Sequence, residues 1–179
     1  MTTPIDLAGA VQAMVAAVRD AAPDPADQVR ALLALVASAA PDATDSRAER
    51  ITRAMCRRAA LAGLARATAE YLPASYDDAI AIRDLVADAL RAEELVAAND
   101  GQITTFGALH AMRLAVAQDL TARAANLAHL RTVTTPAPMP ALAAAYALYG
   151  DATRAGELTA SPAVASPLFL PTTFTALSE

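Results

Sequence analysis

Residues 75–130 read SYDDAIAIRDLVADALRAEELVAANDGQITTFGALHAMRLAVAQDLTARAANLAHL. Apolar side chains recur at helical spacing on two segments of this stretch, about 75–99 and 104–130. Between them, the sequence Asn99-Asp100-Gly101 is typical of a helix end followed by a chain reversal. The stretch therefore predicts a long antiparallel helical hairpin.

Three more helical segments are predicted upstream, and prolines separate the first two. Segments 5–21 and 26–40 should form a small hairpin, and segment 46–71 should form one long helix. Ser46 with Glu49 predicts a capping box at the start of the long helix, and Ser75 with Asp78 predicts another before the central hairpin. At Gly63, in the long helix, the apolar stripe shifts, which predicts either a bend or a change of packing partner.

The predicted secondary structure changes after the central hairpin, from long helices to short helices and extended segments. Residues 132–135 favour an extended segment, and residues 141–149 and 151–158 favour short helices. Residues 161–179 hold three prolines and no charge before the last residue, which predicts an extended arm. The large apolar side chains of this arm predict docking on another subunit; those put forward for the contact are Leu168, Phe169 and Phe174.

Composition supports an all-α fold of helical hairpins in a bundle. The 179 residues include 50 alanines, only 4% are aromatic, and all 14 basic residues are Arg. Alanine with few β-branched or aromatic residues favours helix over sheet. The expected division is an N-terminal hairpin at 1–41, a main helical domain at 42–160 and the arm at 161–179.

Charge and cysteine content exclude several classes of protein. A net charge of −5 disfavours a general nucleic-acid-binding surface. Cys56, the one cysteine, excludes a disulfide framework and is expected to be a bystander thiol. His110 and His129, placed on the same predicted helix, lie too far apart to share a metal ion. No cofactor, metal or membrane span is predicted, and the protein is expected to be made in the cytoplasm.

A cluster of arginines on the long helix is the strongest candidate for a binding surface. Within an arc of roughly 140° on that helix lie Arg47, Arg50, Arg53, Arg57 and Arg58. The simplest interpretation is a solvated helix face balanced by nearby carboxylates. A contact with a protein partner or with nucleic acid is the alternative, although no aromatic residues interleave with the arginines.

Two charged residues project onto apolar stripes of the central hairpin. Glu93 and Arg113 should lie about one turn apart across the antiparallel pair, which predicts an inter-helix salt bridge that fixes the register. The adjacent pairs Asp77-Asp78 and Glu93-Glu94 are expected to be helix-start and solvent charges. The sequence contains no nucleotide-binding loop, nucleophile elbow or zinc-protease motif, so an enzyme is not expected.

Four short motifs occur in an order that resembles a known family. They are Ser75-Tyr76-Asp77-Asp78-Ala79, Asp119-Leu120-Thr121-Ala122-Arg123-Ala124-Ala125, Pro140-Ala141-Leu142 and Leu148-Tyr149-Gly150-Asp151-Ala152. Their order and spacing resemble the C-terminal part of the Mu-like DNA circularisation proteins, which are tail and baseplate components of tailed phages and prophages. The resemblance covers about residues 58–171. The β-rich N-terminal domain of the family's larger members has no counterpart in the helical start of this chain.

The resemblance implies a structural component of a contractile or Mu-like phage tail, in the baseplate or hub region. Its partners would be other tail proteins and further copies of the chain, and its location would be the virion. A second departure falls at residues 161–167, where the family's basic stretch is replaced by small and apolar residues. The alternative function is a DNA-associated phage factor that binds through the arginine-rich helix face.

Overall fold

The computed structural model describes residues 4–160, 164, 166 and 168–178. The described chain is mostly α-helical, with one two-stranded sheet and one 3-10 turn at Ala152–Arg154, which confirms the predicted all-α class. In chain order, the elements are α1 (Pro4–Ala21), α2 (Pro25–Ser38), α3 (Arg47–Glu70), α4 (Tyr76–Asn99), α5 (Ile103–Ala124), β1 (Leu130–Thr134), α6 (Ala141–Tyr149), α7 (Ala155–Thr159) and β2 (Thr173–Leu177).

The helix starts follow the local signals in the sequence. At the start of α3, the backbone N–H of Glu49 donates to Oγ of Ser46 (3.3 Å), and the backbone N–H of Ser46 donates to Oε2 of Glu49 (2.7 Å). Hydrogen bonds from the side chain and the backbone N–H of Ser46 to the Glu49 carboxylate hold the pKa of Glu49 below its ordinary value. Before α4, Oγ of Ser75 accepts a hydrogen bond from the backbone N–H of Asp78 (3.1 Å). The capping box predicted at Ser46 is therefore confirmed, whereas at Ser75 only one half of the predicted box is present, because the Asp78 carboxylate accepts from the backbone N–H of Ala74.

The chain divides into two compact units whose limits differ from the predicted division. Unit 1 comprises residues 1–73 and 79–124, and unit 2 comprises residues 74–78 and 125–179. The N-terminal hairpin is part of unit 1, because Val15, Val29 and Leu32 are buried in the same core as Leu61 and Leu64 of α3. A short hairpin of two helices buries too little apolar surface to stand alone.

Gly63 explains how α1 packs against α3. This residue is buried within a continuous helix, so α3 keeps its regular structure through the position where a bend was one expectation. A Cβ at Gly63 would lie 2.7 Å from Cγ1 of Val15 and 3.5 Å from Cδ2 of Leu32. The alternative expectation, a change of packing partner, fits this close approach of the N-terminal helices.

Helices α4 and α5 form the antiparallel hairpin predicted for residues 75–130. Arg113 Nε donates to Oε1 of Glu94 (2.7 Å), and further along Nη1 of Arg83 donates to Oγ1 of Thr121 (3.3 Å). At the turn, Gly101 has a φ of 69°, in the left-handed region that glycine adopts without strain. The second helix ends at Ala124 rather than at Leu130: residues 125–129 form a turn and irregular chain, and Leu130 is the first residue of β1.

Unit 2 is built around a sheet that contains part of the predicted arm. Strand β2 pairs antiparallel with β1, with Phe174 opposite Val133, and an isolated bridge joins Met139 to Leu170. Phe174, Ala176 and Leu170 are buried in one cluster with α6 and α7. The arm predicted to dock on another subunit thus folds back onto its own unit from Leu170 onward. Six positions of that arm lie outside the described residues: 161–163, 165, 167 and 179.

Candidate functional site

The five arginines of α3 do not form one free basic face. Arg57 is buried at 6% exposure, and its Nε donates to Oε2 of Glu93 (2.7 Å). Arg58 Nε donates to the other carboxylate oxygen, Oε1, at 2.7 Å. Arg53 lies 3.0 Å from a carboxylate oxygen of Asp45. Three of the five guanidinium groups are therefore ion-paired within unit 1, because neighbouring segments pack against this side of α3.

The salt bridge predicted between Glu93 and Arg113 is wrong by one residue. Arg113 pairs with Glu94, while Glu93 faces α3 and bridges Arg57 and Arg58. Adjacent residues on a helix point about 100° apart, so the two carboxylates serve two different neighbouring helices. The ion pair that fixes the register of α4 against α5 is therefore formed by Glu94, and not by Glu93 as predicted.

Glu93 and Glu94 form the centre of a buried polar network, which corrects their assignment as solvent charges. They are 3% and 4% exposed. Arg58 extends the network, because its Nη1 donates to Oε1 of Gln102 (2.7 Å). A buried carboxylate is tolerated only when charges and hydrogen bonds compensate the loss of hydration. The network therefore ties the middle of α3 to the end of α4, and Glu94 ties α4 to α5.

A basic cleft of 510 Å³ opens beside this network, between α3 and the end of α4. Its charged lining comes from Arg47, Arg50 and Arg57, with Asp100 at the turn. Ile51, which is 53% exposed, belongs to the apolar part of the lining. Three of the five predicted arginines thus meet at one concave surface, whereas Arg53 and Arg58 lie outside its lining.

The two histidines and the cysteine contact neighbouring residues of the fold. His110 Nδ1 lies 3.1 Å from Nη2 of Arg113 and 3.5 Å from Oε2 of Glu94. His129, which follows α5 instead of lying in it, packs against Tyr76 with ring centroids 4.1 Å apart and ring planes inclined by 38°. Cys56 is half-buried against the core of unit 1. Over the described part of the chain, no group of three His, Cys, Asp or Glu side chains is arranged to hold a metal ion.

Unit 2 carries an exposed apolar face, which we define by Leu142, Tyr146, Leu168 and Phe169. These side chains are 63%, 67%, 70% and 61% exposed, respectively. The first two lie four residues apart on one side of α6. The bridge between Met139 and Leu170 brings the second two beside the start of that helix.

Two of the three arm residues proposed for partner contact are on this face, and one is not. Leu168 and Phe169 are exposed as expected, but Phe174 is 4% exposed and is a core residue of unit 2. Sequence reasoning missed Leu142 and Tyr146. The signal was present, because α6 reads ALAAAYALY without one polar residue, a pattern typical of a helix covered on all sides.

No helix in the described ranges combines the length and apolarity that crossing a bilayer requires. A scan against protein-family models and a search of curated proteins both found no match to this chain.

Proposed function

We propose that this chain is a structural subunit of a Mu-like phage tail, in the baseplate or hub region, and that it acts by protein–protein assembly. The observation that carries the proposal is the exposed apolar face of unit 2. Isolated exposed apolar residues are ordinary on a protein surface, but here Leu142 and Tyr146 lie on α6, and Leu168 and Phe169 lie next to Leu170, which is bridged to Met139 just before that helix.

The physical argument for assembly is the free energy that is gained when a partner covers this face and removes its side chains from water. Fully burying a large apolar side chain contributes about 1.5–3 kcal/mol before the costs of association, and these four residues, which are 61–70% exposed, retain most of that contribution. Tyr and Phe are enriched where partners meet, and this chain has few aromatic residues. A neighbouring subunit that covers α6 would complete the environment that its all-apolar sequence favours.

The phage-tail part of the proposal is supported by the four sequence motifs that resemble the Mu-like proteins. Two of these motifs, Pro140-Ala141-Leu142 and Leu148-Tyr149-Gly150-Asp151-Ala152, include the two ends of α6. The resemblance and the exposed apolar face thus coincide in unit 2. Other tail proteins, and further copies of this chain, are the proposed neighbours.

The test is to purify tail particles from the phage or prophage that encodes the chain and to locate the chain in them by electron microscopy. We expect a copy number that matches the tail symmetry, with α6 at an interface. The double variant Tyr146→Ser with Phe169→Ser should assemble poorly, because two anchors of the apolar face are lost. Absence of the chain from tail particles would contradict the proposal.

A matched control is available on unit 1. Leu72 and Ile103 are 84% and 81% exposed, which is more than any residue of the apolar face. The double variant Leu72→Ser with Ile103→Ser should assemble as the wild type does. Equal loss of assembly in both double variants would mean that the apolar face of unit 2 has no special function.

A further inference from the structure

The basic cleft of unit 1 has features of a binding site that the apolar face does not explain. It lies in the other unit and shares no residue with that face. We propose that this cleft binds an acidic peptide segment of a protein partner, one that carries apolar side chains beside its carboxylates. The proposal goes beyond assembly through unit 2 and can fail independently of it.

The charges around the cleft are not balanced within the chain. Of the charged residues that line it, three are arginines and one, Asp100, is a carboxylate. Arg50 donates to the neutral backbone carbonyl of Asp45 (2.6 Å), which leaves its charge uncompensated. Among the described residues, no hydrogen bond or ion pair is formed by the exposed Arg47 side chain. Carboxylates are the protein groups that compensate such charges best.

Arg57 supplies a preorganised group at the wall of the cleft. Its side chain is held by Glu93 at Nε and by the carbonyl of Ala39 at Nη1 (2.8 Å). No hydrogen bond from its third nitrogen, Nη2, to another described residue is found, and Arg57 lines the cleft. Glu93 is shared with Arg58, so one carboxylate faces two guanidinium groups and a positive charge remains.

The lining favours a peptide over a nucleic acid. Ile51, Ala54 and Val96 give the cleft an apolar part that suits Leu or Val side chains. No aromatic ring for base stacking is found among the described residues that line it.

The experiment uses the full chain and a fluorescein-labelled peptide of Glu-Glu-Leu repeats, with binding measured by fluorescence anisotropy. We expect binding that weakens with added salt, and much weaker binding of a Gln-Gln-Leu peptide of equal length. The double variant Arg47→Glu with Arg50→Glu should weaken binding by about tenfold or more. Acidic residues near the N-terminus of α3 favour the helix, so this variant should fold.

Two further variants of the chain test whether binding is specific to the cleft. The double variant Arg66→Glu with Arg91→Glu makes the same charge change at exposed positions of unit 1 outside the cleft and should bind as the wild type does. Ile51→Ser, which changes no charge, should also weaken binding. The proposal is overturned if both double variants lose binding equally, or if the neutral peptide binds as tightly. It is also overturned if a DNA oligonucleotide binds more tightly than the acidic peptide and depends on the same two arginines.

Discussion

At Gly63, α3 approaches α1 more closely than a residue with a side chain allows. A Cβ atom added at this position would lie 2.7 Å from Cγ1 of Val15, which is well inside van der Waals contact. Val15 is buried and β-branched, so it has few alternative rotamers with which to move away. The absence of a side chain at this position is therefore a packing requirement.

We predict that Gly63→Ala lowers the free energy of unfolding by about 1–3 kcal/mol, because the added methyl group overpacks the contact with Val15. The matched control is Gly107→Ala in α5, where no atom lies within 4 Å of the added carbon. That change should raise the free energy of unfolding by about 0.5–1 kcal/mol. Urea denaturation of both variants measures the difference. A stabilised Gly63→Ala variant would show that the close approach does not exist.

Contacts between residues that are close in the sequence could be predicted, and contacts between residues that are far apart in the sequence could not. Ser46 and Glu49 form a capping box within one helical turn, so their spacing alone identified it. Glu93 and Arg57 are 36 positions apart, and their contact depends on how α3 packs against α4. An apolar stripe shows that a charged residue is buried, but it does not show which charge lies opposite.

At the scale of helices, the two adjacent carboxylates of α4 determine how three helices align. Glu93 is directed to α3 and Glu94 to α5, each at 2.7 Å from an arginine nitrogen. A one-residue shift of α4 along either neighbour would leave a buried charge without its partner. Such a shift costs several kcal/mol, so the network favours a single alignment.

Double-mutant cycles distinguish the observed salt bridge from the one first predicted. The cycle of Glu94→Gln with Arg113→Met should give a coupling free energy of about 1–3 kcal/mol, because the pair is in direct contact. The cycle of Glu93→Gln with Arg113→Met should give a clearly smaller coupling, because these two side chains belong to the same network without pairing directly. Both are measured by chemical denaturation. The reverse order of couplings would contradict the arrangement in the structure.

Strand β2 has an alternating sequence pattern that indicates a strand, although an extended arm was predicted there. Thr173-Phe174-Thr175-Ala176-Leu177 alternates in burial, with Phe174 and Ala176 inside and the two threonines exposed. This period of two is typical of a half-buried strand, but the three prolines and the lack of charge in residues 161–178 favoured an extended arm. The partner strand lies far upstream at Leu130–Thr134, and a local pattern does not identify a distant partner.

At the scale of the whole molecule, each unit has a core of its own. The core of unit 1 centres on leucines and valines of α1–α5, and that of unit 2 on Leu158, Leu170 and Phe174. The sequence predicted one main domain at residues 42–160. Helical periodicity continues from α3 to α5 and does not indicate which segments pack into the same core. The boundary depends on which segments share a core, and this is a property of packing.

We predict that Phe174→Ala destabilises unit 2 by about 3–5 kcal/mol, the usual cost of removing a buried aromatic ring. Hydrogen exchange followed by mass spectrometry should show faster exchange in peptides from residues 125–178, while peptides from residues 79–124 keep their protection. Phe169→Ala makes the same change at a residue that is 61% exposed and should leave exchange nearly unchanged. Equal acceleration across both units would argue against separate cores.

The pairing of β1 with β2 also sets an order of events during synthesis. All segments of unit 1 have been made once residue 124 is added, so that unit can fold while the ribosome is still translating. Strand β1 must wait for residues 173–177, which takes roughly 2 to 10 s at ordinary bacterial translation rates. Until then, β1 has no partner strand, and Val133 lacks Phe174 opposite it. Unit 1 can therefore fold before the sheet of unit 2 can form, so the two cores would form in sequence rather than together.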